Sequence, residues 1–159
     1  MRVLLFAASR VFGESAEGYR WAQDQISLLL LGRYELILTA GTPGPEVWME
    51  AAALRWGIPT VVFHADGRRT DSRGRGPSRW CPKHLKASAR LRDDAIAQAA
   101  IKATRAGVGL TCVGLLDAES ERSGTAYRLG LLEGAGLPVH RLLWAPATTT
   151  EEAAPVAAE

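Results

Sequence analysis

The chain has 159 residues, of which 47% are hydrophobic and 23% charged, and its formal net charge is +2. That length suits one ordinary domain, which buries about 70% of the surface exposed by its unfolded chain, and the composition excludes a disordered or fibrous polymer. So balanced a net charge says nothing about partners, but Arg68, Arg69, Arg73, Arg75 and Arg79 crowd one stretch against only Asp66 and Asp71, so any preference for anions should be local.

The apolar run at the start, 2–8, has the look of a short leader peptide but is read as a buried first strand. A helical pattern follows over 19–31, then a strand over 35–39, a helix over 45–56 and a strand over 59–64. A polar loop over 65–80 leads into a long helix over 82–105, a strand over 110–116, a helix over 124–133 and a last strand over 138–143. The strands read VLLFAA and ELILT, continuously apolar rather than alternating, as expected of a sheet covered on both faces. With right-handed crossovers this predicts an α/β fold: a doubly wound, mostly parallel Rossmann-like sheet of about five strands with helices on both faces. Residues 1–144 are expected to form this single domain, and 145–159, rich in Ala, Thr, Pro and Glu, a flexible tail. No window approaches the roughly 20 apolar residues of a membrane span, so no membrane association is expected. Two cysteines, Cys81 and Cys112, make no disulfide framework, which points to a reducing, cytoplasmic setting.

In such a sheet ligands bind at the carboxyl ends of the strands. The turn over 39–46 combines Gly41, Thr42, Pro43 and Gly44 with Pro45 at the expected first helical residue, leaving neighbouring amides free for an anion at a helix N-terminus. Glu46 either complements the helix dipole, competing with a phosphate, or bonds ligand hydroxyls. A second corner of similar build, Ser123, Gly124 and Thr125, follows the strand over 110–116. Arg92 falls in the middle of an apolar stripe formed by Leu85, Ala89, Ile96, Ala99 and Ala103, at about 100° per residue. A guanidinium there either snorkels to the edge, pairs with an internal carboxylate or meets an anionic ligand. Ser9 and Arg10 follow the first strand; no nucleophile elbow surrounds Ser9, which is expected to donate a hydrogen bond. The arginine-rich loop is either a solvated surface or a lid over phosphates. Cys81 and His84 make half a zinc site at best, and no metal or cofactor is expected.

Taken in order, these residues resemble the SLOG superfamily, which includes the Lonely Guy phosphoribohydrolases and the Smf/DprA proteins, and within it the small proteins similar to YspA. The resemblance rests on Ala8-Ser9-Arg10, on 40–46, on Arg92-Asp93-Asp94-Ala95-Ile96, and on Ala118-Glu119-Ser120 with Ser123-Gly124-Thr125, framed by Trp56-Gly57-Ile58-Pro59 and Ala135-Gly136-Leu137-Pro138. It covers residues 1 to about 143. Ala8 and Ala40 stand where the family pattern has glycines, and Asp93 where it has asparagine. The resemblance implies nucleotide handling and a homo-oligomer. Lonely Guy enzymes carry glutamates after the glycine-threonine pair, where this chain has Ala126, Tyr127 and Arg128, so catalytic residues are unknown and enzyme status is open. Asp117, Glu119 or Glu46 are the substitutes at hand.

The expectation is therefore a protein that senses, carries or sequesters a nucleotide-derived small molecule through Ser9, Arg10, Gly41, Thr42, Gly44, Glu46, Arg92, Asp117, Ser123, Gly124 and Thr125. The alternatives are hydrolysis or transfer at a nucleoside N-glycosidic bond, and, as a lesser expectation, association of the arginine-rich loop 67–80 with nucleic acid.

Overall fold

A computed structural model describes residues 1–10, 12, 15–64, 69–71, 86–118 and 123–146, with the backbone alone at 69–71 and 86–88. The elements in chain order are β1 (Arg2–Ala8), α1 (Ala16–Leu30), β2 (Leu36–Thr39), α2 (Pro45–Arg55), β3 (Thr60–Phe63), β4 (Arg69–Asp71), α3 (Lys86–Arg105), β5 (Gly109–Asp117), α4 (Gly124–Gly134) and β6 (Val139–Trp144). All six strands join one sheet in the order β4-β3-β2-β1-β5-β6. Five of them run parallel, and β4 pairs antiparallel with β3. The fold is the doubly wound, Rossmann-like α/β arrangement.

β1 explains the continuous apolar run. Val3, Leu5 and Ala7 face one core with Ile96, Ala97 and Ala100 of α3 and Leu129 and Leu132 of α4. Leu4, Phe6 and Ala8 face the other with Ala22, Ile26 and Leu30 of α1 and Met49 and Ala53 of α2. Both parities of the strand are buried because helices cover both sides of the sheet. Truncating Leu5, which is 0% exposed, to alanine would cost about 2–5 kcal/mol.

Local chemistry sets the helix ends. The Ser15 hydroxyl caps α1 by accepting the Gly18 N–H at 3.0 Å, which starts that helix ahead of the expected 19–31 span. α2 begins at Pro45, whose missing N–H costs nothing in the first turn. The Ser123 hydroxyl caps α4 by accepting the Ala126 N–H at 3.2 Å, a contact worth about 1 kcal/mol. At the middle of β5, Gly114 lets α4 descend onto the sheet: a Cβ there would collide with the Leu129 side chain.

One expectation needs correction. The stretch 65–80 is not wholly loop, because Arg69–Asp71 pairs with β3 through Val61↔Asp71, Val62↔Thr70 and Phe63↔Arg69. The sheet accordingly has six strands. β4 escapes sequence reading because three polar residues on an edge carry no apolar period. The expected start of the long helix at 82–85, with Leu85, lies outside the described residues, as do most of the arginine-rich loop, Cys81, His84, Glu119, Ser120 and the tail beyond 146. Among the described residues no helix is long and apolar enough to cross a membrane.

Candidate functional site

The chain runs from β1 outward to β2 and β3 on one side, then returns to lay β5 and β6 on the other. The order therefore reverses between β1 and β5, the position at which doubly wound sheets open a crevice at the strands' carboxyl ends. A cleft of about 230 Å³ lies there, lined by Ala8, Ser9, Arg10, Thr42, Arg92, Ser123, Gly124, Thr125 and Arg128. Thr42 comes from the corner after β2 and Ser123–Thr125 from the corner after β5, so the two corners meet at one hollow.

The corner after β2 is occupied from within. Glu46, 0% exposed, turns its carboxylate back into the turn. Oε2 accepts the Thr42 N–H at 2.8 Å, and Oε1 accepts the Ala8 N–H at 3.1 Å and Arg128 Nη1 at 2.8 Å. The Gly41 N–H donates to Thr39 Oγ1 at 3.4 Å, and Pro43 and Pro45 have no N–H to offer. The Thr42 amide, expected to hold a phosphate, thus holds a side chain of the protein, and Glu46 lies beneath the cleft rather than in it. Burial alone would push the Glu46 carboxyl up, but the Arg128 guanidinium and the Thr42 N–H outweigh it and hold the group below its ordinary 4.5. Gly41 and Gly44 shape this corner from outside the lining. Gly44 has φ 97°, and a Cβ on it would stand 2.8 Å from the Arg10 carbonyl oxygen, so only glycine suits both the backbone and the space.

The corner after β5 is open. Ser123 is spent on the cap, and the Thr125 hydroxyl donates to the Ala8 carbonyl at 2.8 Å, pinning α4 to the end of β1. The Tyr127 N–H is taken by the Ser123 carbonyl at 3.0 Å. Among the described residues, the Gly124 and Thr125 N–H groups have no partner. They carry the positive end of α4 toward the cleft.

Arg92 pairs with an internal carboxylate, one of its expected alternatives, and also lines the cleft. It is 6% exposed; its Nε donates to Asp93 Oδ1 at 3.2 Å, while the side chain lines the cleft, and its Nη groups have no partner among the described residues. Arg128, 1% exposed, lies beside it, with Nε on the same Asp93 Oδ1 at 3.1 Å and Nη1 on Glu46. Burial opposes the Arg128 charge, but Glu46 and Asp93 raise its pKa above the ordinary value. Two arginines and two carboxylates, four residues from three helices, thus form one buried network under the cleft floor. Ser9 completes the set: it lines the cleft, is 3% exposed, and its hydroxyl has no hydrogen-bond partner among the described residues. Arg10 stands exposed at the rim. Asp117, which ends β5, is buried but lies outside the lining.

Sequence reading missed Arg128, although the signal was present. Thr125, Arg128, Leu129 and Leu132 are the buried residues of α4, so Arg128 interrupts an apolar stripe just as Arg92 does. It also missed that Asp93, rather than Arg92 alone, belongs to the buried face of α3 beside Ile96, Ala97 and Ala100. Comparisons with protein-family models, curated proteins and solved structures returned no match to this chain.

Proposed function

We propose that the protein binds a nucleotide or nucleotide-derived small molecule and acts by holding it, as a sensor, carrier or sequestering protein. The observation that carries this reading is the convergence, at the β1/β5 switch point, of a buried unpartnered hydroxyl on Ser9, the Nη groups of Arg92 and the amides at the start of α4. A buried hydroxyl left without a partner costs stability, and helix N-terminal amides with guanidinium donors suit phosphate oxygens. At about 230 Å³ the hollow lies just below the roughly 300–1,000 Å³ of sites that enclose whole drug-sized ligands. It suits a phosphate and its sugar, with the base toward the mouth. The resemblance to the SLOG superfamily supports the same class of ligand.

The alternative of N-glycosidic hydrolysis requires a carboxylate able to reach the sugar. Glu46 and Asp93 are both tied to guanidinium groups, Asp117 lies outside the lining, Glu119 lies outside the described residues, and Ala126, Tyr127 and Arg128 stand where the Lonely Guy pattern has glutamates, so binding without cleavage is the better reading.

A melting-temperature screen over mono-, di-, cyclic and ADP-ribose-type nucleotides tests it. A ligand at 100 times its Kd adds about 2.7 kcal/mol, a rise on the order of 5–10 °C for a chain of this size. The same ligand should give no rise with Arg92→Ala, whose own melting point stays close to that of the parent because Asp93 keeps Arg128. Silence across the whole panel would refute the reading. Free base released from a nucleoside monophosphate by the purified protein would replace it with hydrolysis.

A further inference from the structure

An arginine serves a binding site best when something already holds it. Its long side chain samples many rotamers, and a ligand that must immobilise it loses affinity in doing so. Resting on the proposed anion site, we infer that Asp93 is the positioning residue of the cleft: it fixes the Arg92 guanidinium in advance and leaves the Nη groups for an anion. Asp93 itself lies outside the lining.

The hold begins at the backbone. Glu46 Oε1 accepts the Ala8 N–H at 3.1 Å and Oε2 the Thr42 N–H at 2.8 Å, so this carboxylate is set by the end of β1 and the corner after β2. Glu46 Oε1 also accepts Arg128 Nη1 at 2.8 Å, and Arg128 Nε reaches Asp93 Oδ1 at 3.1 Å. The same oxygen accepts Arg92 Nε at 3.2 Å. None of these four residues is more than 6% exposed, and charge-assisted bonds are strong where water is excluded. Asp93 is the link that turns a brace into a guide, because one of its oxygens ties the cleft-lining Arg92 to an arginine held from elsewhere.

The same chain of bonds sets registration. Ala8 also accepts the Thr125 hydroxyl at 2.8 Å, which places the first turn of α4, and Ser9 follows Ala8 directly. All three parts of the proposed site, the Ser9 hydroxyl, the α4 amides and Arg92, are thus indexed to one residue at the end of β1. Without the Asp93 oxygen the first two keep their anchors, and Arg92 alone is cut loose.

The test uses the whole chain, inorganic phosphate as the probe, and NMR titration near pH 7 at constant ionic strength. Asp93→Asn and Asp93→Ala remove the same charge, but only asparagine keeps an oxygen for the two Nε donors, so their comparison separates placement from Coulomb attraction. With both variants folded, phosphate should bind Asp93→Asn at least about threefold more tightly than Asp93→Ala, the low end of what fixing one long side chain on binding costs. A smaller ratio overturns the inference. Should either variant not fold, wild type decides through the Nε–H signal of Arg92, identified by its loss in Arg92→Lys. Placement in advance requires that signal to exchange slowly with water before phosphate is added and to shift little at saturation. A signal that exchanges as fast as that of exposed Arg10, or that becomes protected only with phosphate, overturns it. If phosphate at tens of millimolar moves no resonance of wild type, the anion site itself is refuted, a result distinct from phosphate binding the two variants alike.

Discussion

The corner after β2 and the corner after β5 are assembled from the same materials, a strand end, a glycine and a helix N-terminus, yet among the described residues only the first is filled by a carboxylate of the protein. At the first, Glu46 folds back from the start of α2 and takes the Thr42 amide of the corner and the Ala8 amide of β1. At the second, Ser123 caps with a neutral hydroxyl and leaves the Gly124 and Thr125 amides unclaimed among the described residues. A glycine turn opening a helix is thus no sufficient sign of a phosphate site. What decides is whether a side chain within the first turn is long and charged enough to fold back into it.

This contrast can be broken experimentally, and the largest effect belongs to the link between the corners. Arg128→Ala would leave Glu46 buried against two amides without its counter-charge and Asp93 with Arg92 alone. It should cost about 3–5 kcal/mol, read as a fall in the denaturation midpoint at unchanged denaturant slope. Glu46→Gln attacks the filled corner directly, placing an amide NH₂ among donors. A loss of about 2–3 kcal/mol is expected, and the pH dependence should change with it. Because the Glu46 pKa is lowered in the folded state, its contribution is present above the ordinary carboxylate value and lost as pH falls through the depressed one. Wild type should therefore weaken on acidification below about pH 4.5, and Glu46→Gln should weaken less steeply over the same range.

Ser123→Ala, at the open corner, removes only a cap and should cost about 1 kcal/mol in the same denaturation assay. If it cost as much as Glu46→Gln, the distinction between a charged internal plug and a neutral cap would fail. The smallest effect should be Ser9→Ala. Deleting an unpartnered buried hydroxyl should leave stability unchanged or slightly raised by calorimetry, while weakening whatever ligand the nucleotide screen identifies. A clear loss of stability would mean that Ser9 serves the fold.

Much of this architecture is legible in the chain because burial on both faces writes itself as unbroken apolar strands, as in Val3 to Ala8, and because proline and glycine mark helix starts. Arg92 is legible for the same reason in negative, a charge where the helix wheel demands an apolar residue. What the chain conceals is pairing. Glu46 and Arg128 are 82 residues apart, and no local pattern says that the carboxylate of one corner will meet the guanidinium of the next. β4 is hidden for a different reason: Arg69–Asp71 is held by strand pairing with β3 rather than by an apolar face.

Gly114 carries a consequence for redesign. Since α4 rests on β5 where there is only a hydrogen in place of a side chain, a methyl group introduced there presses on Leu129, in the middle of the helix whose first turn borders the cleft. The aperture above is in this sense tuned from the basement, and variants sought for a roomier or tighter mouth are best sought at a residue that no bound molecule would ever touch.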